Sequence, residues 1–179
     1  FGGTMNNPIV HSLYQTFVSR GFSVLRFNFR GVGRSQGLFE NGAGELSDAA
    51  SALDWLQSFN REAKICWIAG VSFGAWISMQ LLMRRPEIGG FISIAPLAKH
   101  YDFSFLAPCP ASGLFVNGEK DVVASPESVH SLVSKLKTQK GIVIEHKVVA
   151  GANHFFEGKT DELTKICSTY LDKRLSRES

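Results

Sequence analysis

The sequence encodes an α/β fold, a mostly parallel sheet with helices on both faces. Strand-like and helix-like segments alternate along the chain, each helical segment is long enough to cross back over a sheet, and glycine, proline and capping residues mark the junctions. With 179 residues, 44% of them hydrophobic and 20% charged, the chain has the make-up of one globular domain spanning 1–179.

The elements follow in order. Asn7-Pro8 supplies a helix cap and a first-turn proline, and Val10, Leu13, Tyr14, Phe17 and Val18 recur at helical spacing before Gly21 ends the run. FSVLRFNF (22–29) reads as a strand and RGVGRSQG as the glycine-rich loop after it. Leu46, Ala49, Ala50, Leu53 and Leu56 mark a second amphipathic helix. KICWIA (64–69) is a short buried strand, and a helix from Phe73 to Arg85 stops at Pro86. GFISIAP (90–96) and GLFVNG (113–118) are strands. Ser125-Pro126 caps a helix with Val129, Leu132, Val133 and Leu136 on its inner face, ended by Gly141. IVIEHKVV (142–149) is a strand, and Thr160 opens a last helix through Leu163, Ile166, Cys167, Tyr170 and Leu171.

Composition excludes several function classes. The formal net charge of +3 is weak, and the basic residues are scattered apart from pairs such as Arg84-Arg85 and the polar helix end KLKTQK (135–140), so nucleic acid is not an expected partner. Residues 66–83 carry no charge over 18 positions, but two glycines, two serines and a glutamine divide them into a strand and a buried helix rather than a membrane span. No signal-peptide pattern is read either. Cys66, Cys109 and Cys167 show neither CxxC spacing nor an even count, which points to reduced thiols in a cytoplasm. His11, His100, His130 and His146 show no HxH or HExxH spacing, so no metal is expected. The RGVGRSQG loop has GxGxxxG rather than GxGxxG spacing, so no nicotinamide cofactor, or any other, is implied. Composition leaves the oligomeric state open.

In a parallel sheet the chemistry collects in loops after the carboxyl ends of strands. Three such loops hold Ser72 in AGVSFGAW, Asp121 in NGEKDVV and His154 in GANHFF. A serine hydroxyl needs a neighbouring base to become a nucleophile. A neutral imidazole can serve near neutral pH. A carboxylate on its other nitrogen fixes the tautomer and stabilises the imidazolium. Gly70 and Gly74 leave room for a sharp strand-to-helix turn around Ser72. The helix that follows aims the Phe73 N–H at a developing oxyanion, and one such donor is worth roughly 3–4 kcal/mol in rate. Taken singly, each feature has a plainer reading: a chance GxSxG, an Asp121 that caps the next helix, a loop histidine satisfied locally. Their joint placement predicts a Ser72–His154–Asp121 triad.

On these residues the sequence resembles the α/β-hydrolase superfamily over its whole length. GVSFG (70–74) matches the nucleophile elbow, FNFRGVGRSQG (27–37) is similar to the strand-end R-G-x-G-x-S loop, and Ser, Asp, His is the triad's chain order. FGGTMNN (1–7) resembles the opening of small bacterial dienelactone-hydrolase-like serine hydrolases. The resemblance implies that a second oxyanion donor comes from that opening, at Gly2 and Gly3, which are also readable as turn glycines. It further implies that strands precede residue 1, because a central strand of the family is missing, and that a gap or another chain separates strands 22–29 and 64–69. Residues 96–112 leave no room for a large lid, so a fairly open site is expected, with Tyr101, Phe103 and Phe155 as pocket wall unless these aromatics are core. The expected activity is hydrolysis of a small-molecule carboxylic ester or thioester through an acyl-enzyme. A peptidase or acyl transferase with the same triad, and a non-catalytic binding member of the fold, are the alternatives.

Overall fold

The structure, a computed structural model, describes residues 7–26 and 42–177. Asn7 caps α1 (Pro8–Val18), its side-chain oxygen accepting the Ile9 N–H at 2.8 Å. At α2 (Ala43–Ser58) the buried Glu45 carboxylate accepts the Gly42 N–H at 2.9 Å, reaching back from the third helical position. Then come β1 (Cys66–Val71), α3 (Phe73–Arg84), β2 (Ile88–Ile94), β3 (Gly113–Gly118), α4 (Pro126–Leu136), β4 (Ile144–Val149) and α5 (Thr160–Arg177). Ser125 caps α4 by accepting the Ser128 N–H at 3.3 Å.

Among the described residues the sheet has four strands in the order β1-β2-β3-β4, every neighbouring pair parallel. Right-handed crossovers place α3 and α4 on the same face, because the chain advances across the sheet in one direction. Alternation along β1 identifies the other face. A Cβ on Gly70 would meet Gly74 and Ser78 of α3, whereas Trp67, at odd spacing from it, packs on Phe17 of α1 and Tyr170 of α5. Helices therefore cover both faces, and Phe91, Phe115, Ile92 and Leu114 lie fully buried between them. Strands buried on both faces read as continuous apolar runs, which is why β2 and β3 were plain in the sequence.

Element ends differ from expectation by a few residues, and each shift has a cause. β2 extends back to Ile88 because that residue pairs with Cys66. The α4 helix ends at Leu136 with Lys137 as C-cap, and Gly141, with φ 88°, lies in the turn that follows. The expected strand 22–29 is not formed over residues 22–26, and 27–29 lie outside the described residues. A strand-like apolar run needs a ladder partner to become a strand, and among the described strands β1 pairs with β2 alone. Residues 22–26 instead line a cavity beside β1. No helix among the described residues is long and apolar enough to cross a membrane.

Candidate active site

Ser72 occupies the single residue between β1 and α3. Its backbone is forced into φ 57°, ψ −117°, a region that a residue with a side chain rarely adopts and that stores roughly 1–3 kcal/mol of strain. Two hydrogen bonds hold it there: the Ser72 N–H donates to the Ile94 carbonyl at 2.8 Å, and the Ser72 carbonyl accepts from Ala75 at 3.1 Å. The turn is so tight that a Cβ on Gly70 would lie 2.3 Å from the Gly74 carbonyl oxygen. The glycine before the serine is thus required by close approach of the backbone.

The other two side chains converge on it. The Ser72 hydroxyl lies 3.0 Å from His154 Nε2, and His154 Nδ1 lies 2.7 Å from Asp121 Oδ2. With Nδ1–H donated to the carboxylate, Nε2 presents its lone pair to the serine hydroxyl. Asp121 is buried and its second oxygen is fixed as well, Oδ1 accepting the N–H groups of Val123 at 2.8 Å and Ala124 at 2.7 Å. Asp121 does not cap the next helix, whose cap is Ser125; one of its oxygens closes the turn ahead of that helix and the other holds the imidazole.

The acid and histidine loops are stitched to each other. Glu119 N–H donates to Val149 at 3.0 Å, Lys120 N–H to Ala152 at 2.9 Å, and Gly151 N–H to the Glu119 carboxylate at 3.0 Å. Gly118 permits this approach, since a Cβ there would lie 2.4 Å from the Ala152 carbonyl. Asn153 shapes the histidine turn, its Oδ1 accepting the N–H of Phe155 at 3.0 Å and of Glu157 at 3.2 Å.

Phe73 stands at the first position of α3, which sets its N–H beside Ser72 at the positive end of the helix. Tyr101 lines the cavity that opens on Ser72 and stacks on Trp76 at 4.4 Å between ring centres. Phe155 lines the same cavity and packs edge-on against the His154 ring at 5.4 Å. Phe103 is placed differently from expectation: it is 5% exposed, stacks on Phe105 and belongs to the core. The short 3-10 turn at Ser104–Leu106 tucks it inward. Gly2 and Gly3 lie outside the described residues. Sequence reasoning missed Trp76, whose indole N–H donates to the Asp102 carbonyl at 3.0 Å and ties α3 to the Tyr101 segment. Its signal was available, one helical turn beyond Ser72 on the same face.

The cavity has a volume of about 650 Å³. It runs from Ser72 and His154 along β1 to Leu13 of α1 and Leu53 of α2, and its walls are mainly apolar. Among the described residues no group of three or more His, Cys, Asp or Glu side chains is placed to hold a metal ion.

A parallel sheet with a strained serine turn at a strand end defines the α/β-hydrolase fold, and only a short segment with one 3-10 turn joins β2 to β3. The comparisons with known proteins agree. The family described as X-Pro dipeptidyl-peptidase (S15 family) matches residues 4–130, a span that includes Ser72 and Asp121 and stops before His154. The chain belongs to that family, and so to the α/β-hydrolase superfamily. A crystal structure of a candidate alpha/beta hydrolase of unknown function from Agrobacterium tumefaciens is 66% identical, with a TM-score of 0.97 over 99% of this chain and 82% of that one. An uncharacterized protein of Rickettsia prowazekii is 50% identical over 96% of this chain and 74% of its own length. A Xanthomonas campestris protein described as an α/β serine hydrolase without lid is 32% identical, with a TM-score of 0.81, over 92% of this chain and 72% of that one.

Proposed function

We propose that this protein is a serine hydrolase that cleaves small carboxylic esters or thioesters through Ser72, His154 and Asp121. One observation carries the reading: a serine hydroxyl 3.0 Å from an imidazole whose far nitrogen is 2.7 Å from a buried carboxylate. Ser72 Oγ attacks the acyl carbon while its proton passes to His154 Nε2. The Phe73 N–H stabilises the resulting oxyanion. The carbon–heteroatom bond then breaks, the leaving group takes the proton from Nε2, and an acyl ester remains on Ser72. Water attacks that ester by the same route, giving the carboxylic acid and the restored hydroxyl. Asp121 keeps Nδ1 protonated throughout and stabilises the imidazolium.

The description of the family favours one second reading, a peptidase that uses the same triad. The reactive groups would be shared, so substrate panels separate the two. p-Nitrophenyl acetate and a Xaa-Pro p-nitroanilide are offered to the protein and to its Ser72→Ala variant. Ester hydrolysis that vanishes in the variant supports the proposal. Cleavage of the anilide alone favours the peptidase, and ester hydrolysis that survives the substitution overturns the nucleophile assignment. The three cysteines are unpaired thiols, which supports a reducing compartment such as the cytoplasm.

A further inference from the structure

We infer that Phe155 selects the leaving group, and that the preferred substrates are esters of apolar, ring-bearing alcohols. The inference rests on the serine-hydrolase reading and adds the substrate class to it.

The argument begins with where a leaving group must be. In the acylation step the protonated Nε2 of His154 hands its proton to the departing oxygen, so that oxygen sits within about 3 Å of Nε2. Whatever is bonded to it extends into the space beside the imidazole. Phe155 stands there: its ring centre is 5.4 Å from that of His154, the two planes are 82° apart, and both residues line the cavity that opens on Ser72. An aromatic group on the leaving oxygen can meet the Phe155 ring in a stacked or edge-on arrangement at the separations such pairs favour.

Phe155 is also unusual in being both exposed and held. Its relative exposure is 62%, so the folded protein gains little from its ring. Yet its backbone is fixed on both sides. The Asn153 side chain accepts its N–H at 3.0 Å, and the next residue, Phe156, is fully buried with φ 53° and anchors the turn in the core. Single exposed apolar residues are common on protein surfaces. This one is set against the proton-delivering imidazole, on the wall of the same cavity, by a turn that leaves its backbone little freedom, which suits recognition of a ligand better than chance exposure.

Acylation and deacylation separate the proposal from a structural role. Phe155 acts on the leaving group, which has departed before deacylation, so the second step should not sense it. The test compares phenyl acetate with methyl acetate, which share an acyl group, on the wild type, Phe155→Ala and Phe155→Leu. The release rate of acetate from the preformed acetyl-enzyme is measured on each protein. Because Phe155 is exposed, both variants are expected to fold, and circular dichroism checks this. The expected result for Phe155→Ala is a loss of about tenfold in kcat/KM on phenyl acetate, the scale of one lost aromatic contact. Methyl acetate should change by less than about twofold, deacylation should be unchanged, and Phe155→Leu should fall between wild type and alanine. Equal losses on both esters, or a slowed deacylation, would show that Phe155 merely props His154 and would overturn the inference. No change on either ester would overturn it too. Turnover of phenyl acetate that persists in Ser72→Ala, or is absent from the wild type, would be a failure of the serine-hydrolase reading itself.

Discussion

Replacing Gly70 by alanine tests how closely the serine turn is built. The new methyl group would lie 2.3 Å from the Gly74 carbonyl oxygen, 2.6 Å from its carbonyl carbon and 2.6 Å from the Ser78 hydroxyl, where ordinary contact begins near 3.4 Å. Ser78 can rotate away, but the Gly74 backbone is the first turn of α3 and must itself move by roughly 1 Å. That motion carries Ser72 with it. A hydroxyl 3.0 Å from Nε2 displaced by that amount leaves hydrogen-bonding range, and misplacement on this scale can lower a rate about 10²-fold. Overpacking adds a stability cost of about 1–3 kcal/mol, which for a chain of this size lowers Tm by roughly 2–12 °C. The control is Gly89→Ala, where an added Cβ meets nothing within 4 Å and where stability should change by less than about 0.5 kcal/mol. Thermal melting by circular dichroism and p-nitrophenyl acetate turnover are read on both variants. If Gly70→Ala melts and turns over like Gly89→Ala, the steric account of the turn is wrong.

Three further outcomes follow from the same geometry. Asp121→Asn should keep the turn, since the amide oxygen can still accept from Val123 and Ala124, while activity falls about 10⁴-fold; Asp121→Ala should also lose about 1–3 kcal/mol by urea titration, because two N–H groups lose their acceptor. Burial, with His130 and Lys137 nearby, holds the His146 imidazole below its usual range while Nε2 meets the buried Asn117 side chain. The folded protein then takes up that proton less readily than the unfolded chain, so stability is full above about pH 6.5 and declines as the pH drops below it. His146→Gln should flatten the fall of Tm between pH 7 and pH 5, and equal slopes in the two proteins would refute the assignment. Burial pushes the Cys167 thiol up to about 12, so an aromatic disulfide reagent at pH 8 should modify it only after unfolding, which peptide mapping reads directly.

The site was more legible in the sequence than the sheet edge. Gly70 and Ser72 gain their meaning from the strand before them and the helix after them, where close approach at Gly70 and strain at Ser72 restrict the residue types that can stand there. Asp121 and His154 are legible because each follows a strand-like run closed by a glycine-containing loop, and parallel pairing brings those strand ends to one edge of the sheet. Phe103 misled for the opposite reason. YDFSFL alternates polar and aromatic residues without marking which ring turns inward, and only the packing of the short 3-10 turn places Phe103 in the core while Tyr101 faces the cavity. Residues 22–26 misled because a locally strand-like run carries no information about whether a neighbouring strand is there to pair with. The stitching of the two loops through Glu119 and Gly118 was invisible, since hydrogen bonds between loops distant in sequence leave no periodic trace.

The most direct measurement is covalent. A fluorophosphonate reacts with a serine hydroxyl only where a base removes its proton and a donor stabilises the resulting anion. Intact-mass spectrometry followed by peptide mapping should find one adduct, on Ser72, lost in Ser72→Ala and strongly slowed in His154→Ala. A folded protein that stays unlabelled, or labels on a different serine, would contradict the account.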